Sequence, residues 1–281
     1  MVKAEDTAID EIVVVLLSGG IDSTTAATME SQDPSKGVYF LTKKTDLPEF
    51  ERALEIGQVL KDAYSNVAGH YVLSFDLENA IRSQAENKEP EIGRRSFDSL
   101  NDRTLERSMG RLGDRASKTD AIPSGYPGFR DEMFALIGLD LCERIVLSYF
   151  QKDPSKKLAG RVVLGTTGED MRNFNDIRPE IYTDHINSIA ALKESPRLTG
   201  KPLQTYLPFA DMSKTDVIKL GMKVNAPLDL TWSCYSKGPN PCSVTNPKPQ
   251  NYIEWCDQCH WRSDAFSRLG IADPALRLYK R

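Results

Sequence analysis

The first residues in the chain whose types and spacing could do chemistry are Ser18-Gly19-Gly20-Ile21-Asp22-Ser23, followed by Thr24. Two adjacent glycines let the backbone turn sharply and bring its N–H groups close to an anion. Hydroxyls at Ser18, Ser23 and Thr24 can add hydrogen bonds to phosphate oxygens. A carboxylate at Asp22 repels phosphate, so it needs another task. It could cap a following helix or face a Mg²⁺ carried by a nucleotide. The plainer alternative is a simple strand-to-helix turn, but the full Ser-Gly-Gly-x-Asp-Ser string favours a phosphate cradle. No Gly-x-x-x-x-Gly-Lys-Ser/Thr string occurs, which argues against a Walker-type γ-phosphate enzyme.

The second grouping is Cys234, Cys242, Cys256 and Cys259, ending in a Cys-x-x-Cys pair. Four clustered thiolates with one x-x pair suit a tetrahedral Zn²⁺ site. Four protein ligands leave no open position, so the zinc would be structural and His260 would not be needed as a ligand. Ordinary buried thiols and a redox Cys-x-x-Cys are the alternatives. Cys142 lies on the apolar face of an expected helix and reads as a core residue.

These groups need elements to position them. Ile12 to Leu17 is a short, continuous, Val-rich run, as in a strand buried on both faces of a parallel sheet. It stops at Ser18, and helical residues follow from Asp22. Val38 to Thr42 reads as a second strand, 47–63 as a helix, and His70 to Phe75 as a third strand. This alternation predicts an α/β fold with a Rossmann-like, doubly wound parallel sheet. Residues 84–125 are highly charged without a sustained period and read as a long functional loop or lid. A helix is expected over 130–150, strand four over Arg161 to Gly165, a helix from about Glu180, and strand five over Gln204 to Pro208. Ser213 is placed to N-cap another helix. After Pro227 the composition shifts to Cys, Pro, Trp, Asn and Gly. The expected division is therefore a nucleotide domain over 1–229 and a small zinc-binding lobe with a C-terminal helix over 230–281.

Composition narrows the function classes. The net charge is -4, with 27% charged residues of both signs interspersed. No basic tail or stripe invites a nucleic-acid backbone, which argues against direct RNA or DNA binding. No stretch has the length of a membrane span, and the start is polar and acidic rather than a signal peptide. A cytoplasmic enzyme is the expectation, with its five Cys as thiols or metal ligands.

The Ser18–Ser23 string resembles the pyrophosphate loop of the N-type ATP pyrophosphatases, which cleave ATP between its α- and β-phosphates and adenylate a substrate oxygen. Further motifs narrow the resemblance to the 7-cyano-7-deazaguanine synthase (QueC-like) family. They are Tyr126-Pro-Gly-Phe-Arg130-Asp131, Gly165 with Glu169-Asp170 and Arg178-Pro179-Glu180, and Ser213-Lys214. Downstream come Thr231-Trp232-Ser233-Cys234, Cys256-x-x-Cys259, Arg262, Phe266 and Gly270-Ile271-x-Asp273-Pro274. The resemblance implies ATP, Mg²⁺, Zn²⁺, a small-molecule deazaguanine substrate, ammonia and a homodimer. It implies an AMP-forming ligase that turns 7-carboxy-7-deazaguanine into an amide and then a nitrile.

Chemistry at the matched positions fits that role. Arg130, Lys214 and Asp22 are the candidate catalytic residues, because adenylation piles charge on the α-phosphate and preorganised cations lower the barrier. Ser18, Gly19, Gly20, Asp22, Ser23, Thr24 and Gly165 are the candidate nucleotide residues. Arg130, Asp131, Glu169, Asp170, Phe174 and Arg178 are placed on the substrate side. There the acidic pair could accept hydrogen bonds from a guanine-like edge, Arg178 could hold a carboxylate, and Phe174 could stack. Solvated charges, structural ion pairs with Arg172 or Arg178, and packing are the alternatives. The match has departures. Lys43-Lys44-Thr45-Asp46-Leu47 stands where the family has Tyr-Gly-Gln-x-His, Arg130-Asp131 replaces Arg-Asn, and extra residues separate Cys242 from Cys256. They suggest a divergent branch that stops at the amide or joins the activated base to another amine, such as a protein N-terminus, as in antiviral defence. A tRNA thiolase of the same superfamily is the other rival. It would want a catalytic Cys outside the zinc cluster.

Overall fold

The computed structural model describes residues 9–45, 47–74, 130–173, 178–235, 240–247 and 255–277. The expected lid over 84–125 lies outside the described residues. Five strands form one sheet in the order β3-β2-β1-β4-β5, all parallel. They are β1 (Glu11–Leu16), β2 (Lys36–Lys43), β3 (Val67–Leu73), β4 (Ala159–Val163) and β5 (Leu203–Tyr206). Strand β1 is central, with Val13 opposite Val38 on one side and Arg161 on the other. Its side chains alternate between two cores. Ile12 and Val14 enter one, while Val13, Val15 and Leu17 enter the other. Each such burial is worth roughly 1.5–3 kcal/mol, so a strand apolar on both faces belongs in the middle of the sheet.

Helices cover both faces, as the doubly wound reading expects. One face carries α1 (Ile21–Ser31) and α2 (Pro48–Ala63). The other carries α3 (Arg130–Lys152), through Ala135, Leu139, Cys142 and Val146. Short helices follow β4: α4 (Gly168–Asn173), α5 (Asn187–Ala190) and α6 (Glu194–Thr199). Helix α7 (Lys214–Lys223) returns to the α1 face through Val217 and Ile218. A short α8 (Cys242–Thr245) precedes α9 (Asp257–Arg268). Ala265 and Phe266 of α9 enter the same core as Val13 and Ile218.

Several boundaries differ from expectation, β4 running Ala159–Val163 and β5 Leu203–Tyr206. Strand β3 starts at Val67 rather than His70 and runs along the edge of the sheet beside β2. The segment after Glu180 opens as a π-helical turn, Ile181–Ile186, before α5. There the Thr205 hydroxyl donates to the Tyr182 carbonyl at 3.3 Å. Asn187 Oδ1 accepts from the Thr205 N–H at 2.7 Å. A side chain from β5 thus enters the helical ladder, a known cause of local widening.

At the amino ends of the strands, buried Glu30 accepts from Lys36 at 2.8 Å and Arg161 at 3.0 Å. Arg161 also reaches Glu11 at 3.0 Å. This network ties α1, β1, β2 and β4 together at the end away from the phosphate loop. Among the described residues, no helix is long and apolar enough to cross a membrane.

Candidate phosphate-loop site and metal centre

Strands β1 and β4 are neighbours whose onward connections lead to opposite sides, so their carboxyl ends form a topological switch point. Open α/β sheets bind ligands in that crevice. The loop after β1 is built for it. Gly19 has φ +87°, and a Cβ there would stand 2.4 Å from the Glu49 carbonyl oxygen. Gly20, in extended conformation, is the N-cap of α1. The first intrahelical bond is Thr24 N–H to the Gly20 carbonyl at 3.1 Å. The N–H groups of Ile21, Asp22 and Ser23 precede it and lie at the positive end of the helix. Ser23 Oγ accepts from the Ser18 N–H at 3.1 Å and lies 3.0 Å from Ser18 Oγ, which closes the turn.

Three expectations about this loop need revision or sharpening. Asp22 is not the helix cap. It is the second helical residue, and Gly20 caps through its backbone alone. Thr24 is fully buried, with its hydroxyl unpartnered among the described residues. It backs the loop rather than lining it. Gly165, past β4, presses its α-carbon face against α1, where a Cβ would stand 2.7 Å from the Ser23 nitrogen. Its glycine serves the close approach of the β4 end to the first turn of α1.

Asp22 instead meets Lys214. Lys214 opens α7, and Ser213 before it caps the helix in a complete capping box with Asp216, as its position predicts. The box fixes the first turn and aims the buried Lys214 Nζ at Asp22 Oδ2, 2.5 Å away. Asp170 of α4 lies on the other side, its Oδ2 3.4 Å from Nζ. Asp170 Oδ2 also accepts from the Thr167 hydroxyl at 2.7 Å. Burial opposes the lysine's charge, but the two carboxylates outweigh it and hold its pKa above the ordinary range. Burial raises the Asp22 carboxyl, and Lys214 opposes that rise. Asp22 Oδ1 is buried and has no hydrogen-bond partner among the described residues. A carboxylate oxygen left over beside an anion cradle fits a divalent cation, which takes oxygen ligands.

The substrate-side residues are placed less completely. Asp131 and Glu169 are half-buried and Arg178 is exposed. Arg130 begins α3, but its side chain lies outside the described residues, as does Phe174. Beside the loop a cleft of about 560 Å³ is lined by Lys44, Thr45, Pro48, Phe50, Glu51 and Trp232, among others.

The cysteines converge. Sγ atoms of Cys234, Cys242, Cys256 and Cys259 all lie within 4.8 Å of one another. A metal bonded at about 2.3 Å needs sulfurs roughly 3.8 Å apart in a tetrahedron. The Cys234–Cys256 separation is 3.8 Å. Backbone N–H groups support the sulfurs, Cys242 donating to Cys234 Sγ at 3.3 Å and Cys256 to Cys242 Sγ at 3.2 Å. Cys256 is the N-cap of α9 and Cys259 lies in its first turn, where the helix dipole favours thiolate. The four residues fit a metal ion, and His260 is not among them.

Comparison with known proteins decides the family. The family model described as "Queuosine biosynthesis protein QueC" matches residues 12–270. The chain belongs to the QueC family. A 7-cyano-7-deazaguanine synthase of Trichodesmium erythraeum is 27% identical, covering 94% of this chain and 99% of its own. One from Synechococcus sp. (strain RCC307) is 28% identical, covering 94% and 98%. Another from Nostoc punctiforme is 27% identical, covering 93% and 97%. Among solved structures, the U34-tRNA thiolase NcsA of Methanococcus maripaludis aligns over 93% of this chain and 68% of its own. That match has 12% identity and a TM-score of 0.36, too low to bear on activity.

In this QueC family member, the Cys142 thiol is fully buried and pushed up to about 12 by that burial. That is the wrong environment for the catalytic thiolate a thiolase reading wants. Two contacts of the loop escape sequence reasoning. Thr42 donates to the Leu17 carbonyl at 2.7 Å, so its oxygen accepts from His70 Nε2, also at 2.7 Å. Trp232 N–H donates to the Gly19 carbonyl at 2.9 Å. The partners are far apart in sequence, and one is a main-chain group with no residue-type signal.

Proposed function

We propose that this chain is an ATP-dependent, AMP-forming carbon–nitrogen ligase acting on 7-carboxy-7-deazaguanine and ammonia. The observation that carries the reading is Lys214, a buried ammonium held between Asp22 and Asp170 beside an anion-receiving helix end. In the first half-reaction the substrate carboxylate attacks the α-phosphate of ATP, and pyrophosphate leaves. The Ser18–Ser23 loop holds the pyrophosphate end, and Lys214 neutralises charge building on the α-phosphate. Ammonia then displaces AMP to give the amide. A second ATP adenylates the amide oxygen, and loss of AMP and a proton leaves the nitrile. Arg130 joins Lys214 on the phosphate side. Asp131, Glu169, Asp170, Phe174 and Arg178 hold the deazaguanine, with Asp170 shared between the two halves through Lys214.

Asp22 would hold a Mg²⁺ that arrives with the nucleotide and supplies charge neutralisation to the phosphates. Cys234, Cys242, Cys256 and Cys259 would hold a structural Zn²⁺, which ties the lobe together without an open position. The relatives' printed name, 7-cyano-7-deazaguanine synthase, supports the product.

The test is to incubate purified protein with ATP, Mg²⁺, 7-carboxy-7-deazaguanine and ammonium. Base-dependent AMP and pyrophosphate with a nitrile product are expected; ADP, or no base-dependent AMP, sinks the reading. An amide, or a conjugate with an amine such as a protein N-terminus, would instead select the divergent branch. Lys43-Lys44-Thr45, at the carboxyl end of β2 with Lys44 and Thr45 bordering the cleft, is the feature that favours that second outcome.

A further inference from the structure

The phosphate loop is held from outside its own strand and helix. Its Gly19 carbonyl accepts from the Trp232 N–H at 2.9 Å. Trp232 is fully buried, and its indole N–H donates to the carbonyl of Cys234 at 2.6 Å. The residue that touches the loop therefore also touches a member of the cysteine cluster. What fixes this stretch is Arg262, on α9 one turn past Cys259. Its Nη1 donates to Thr231 Oγ1 at 3.0 Å and to Ser233 Oγ at 3.1 Å, on either side of Trp232. Its remaining donors form a fork on Asp273, Nε to Oδ2 at 2.5 Å and Nη2 to Oδ1 at 2.8 Å. Arg262 is itself only 8% exposed. A planar guanidinium fork of this kind fixes orientation as well as charge.

We infer that Arg262 is a positioning residue for the phosphate loop. With Asp273 it makes the cysteine-bearing lobe a strut that pins Trp232 against Gly19 and holds the Gly19–Gly20 turn in its anion-receiving form. The requirement for glycine at position 19 is strict, because its φ is +87° and a Cβ would stand 2.4 Å from the Glu49 carbonyl oxygen. The inference rests on the proposed nucleotide reading only for its consequence. The mechanical coupling stands apart from it.

The experiment is hydrogen exchange on full-length protein purified with its metal, comparing Arg262→Lys with wild type. Lysine keeps the charge but loses the fork. Metal content is read by elemental analysis. Affinity for α,β-methylene-ATP with Mg²⁺ is measured alongside. With metal retained, exchange across residues 18–24 should rise by about fivefold or more, the loss expected for a net hydrogen bond, while β1 and β2 stay protected. Analogue affinity should fall by a similar factor. Unchanged exchange across 18–24 overturns the inference. Faster exchange across 18–24 in the variant, with no analogue binding to either protein, would sink the nucleotide reading and leave the strut standing. Where Arg262→Lys fails to fold or loses metal, chelated wild type takes its place. Exchange should then rise across 18–24 as well as in the lobe, and a rise confined to the lobe overturns the inference.

Discussion

Lys214 is the residue on which most rests. Replacing it with Met leaves Asp22 and Asp170 facing each other in a buried site, with no cation between them. Pyrophosphate release should fall on the order of 100-fold or more, the scale of losing a preorganised charge at a transition state. Lys214→Arg should retain part of the rate, and a variant as fast as wild type would remove Lys214 from the chemistry. Cys142→Ala should leave turnover intact, because its thiol is sealed in the α3 core. His70 carries a pH prediction. Burial pushes its imidazole down to about 4, against an ordinary value of 6.5. The unfolded chain therefore binds the proton more readily than the folded one between those values. His70's contribution is fully present above pH 6.5 and fades as pH falls toward 4. Calorimetry should show the melting temperature dropping over that window. His70→Asn should shallow the slope, and an unchanged slope would mean other groups dominate.

At the scale of elements, the site depends on how closely the end of β4 approaches the first turn of α1. Gly165→Ala puts a methyl group 2.7 Å from the Ser23 nitrogen, against backbone that cannot swing aside. The expected cost is about 2–3 kcal/mol of stability, read by denaturant melts, with weakened nucleotide binding. Full stability in that variant would show that the β4 end and α1 have room to part. This approach was only partly legible in the sequence. The continuous apolar run of β1 and the Gly-Gly turn are local signals, and both are where they are expected. The start of β3 was hidden because Val67-Ala-Gly reads as neither strand nor turn. The π turn after Glu180 was hidden because its partner Thr205, which bonds the Tyr182 carbonyl and Asn187 Oδ1, comes from a later strand. The capping box at Ser213 could be read from four neighbouring residues. The partnership of its neighbour Lys214 with Asp22 spans 192 positions and could not. Four thiols that meet in space announced themselves because cysteines are few and their spacing is short.

For the molecule as a whole, the cysteine cluster and the sheet differ in what they depend on. Elemental analysis should find about one metal per chain. Chelation should lower the melting temperature while far-UV dichroism keeps its α/β shape, because the sheet's two cores are made by carbon packing. Loss of all structure on chelation would mean that the lobe nucleates the fold. The net charge of -4 sets a second expectation. On the proposed reading nucleotide and carboxylate substrate are both anions, so encounter would run against the overall field. Association should quicken as salt rises through about 0.1 M, the reverse of steered binding.

A lysine flanked by two carboxylates is not a bare positive charge. On the proposed reading, an inorganic phosphate entering the crevice would meet two repulsions beside the attractions of the lysine and the helix end, and should gain little by staying. A triphosphate escorted by its own divalent ion would meet the same centres with every sign matched. Such a resting site would sort its visitors by escort before any bond is made.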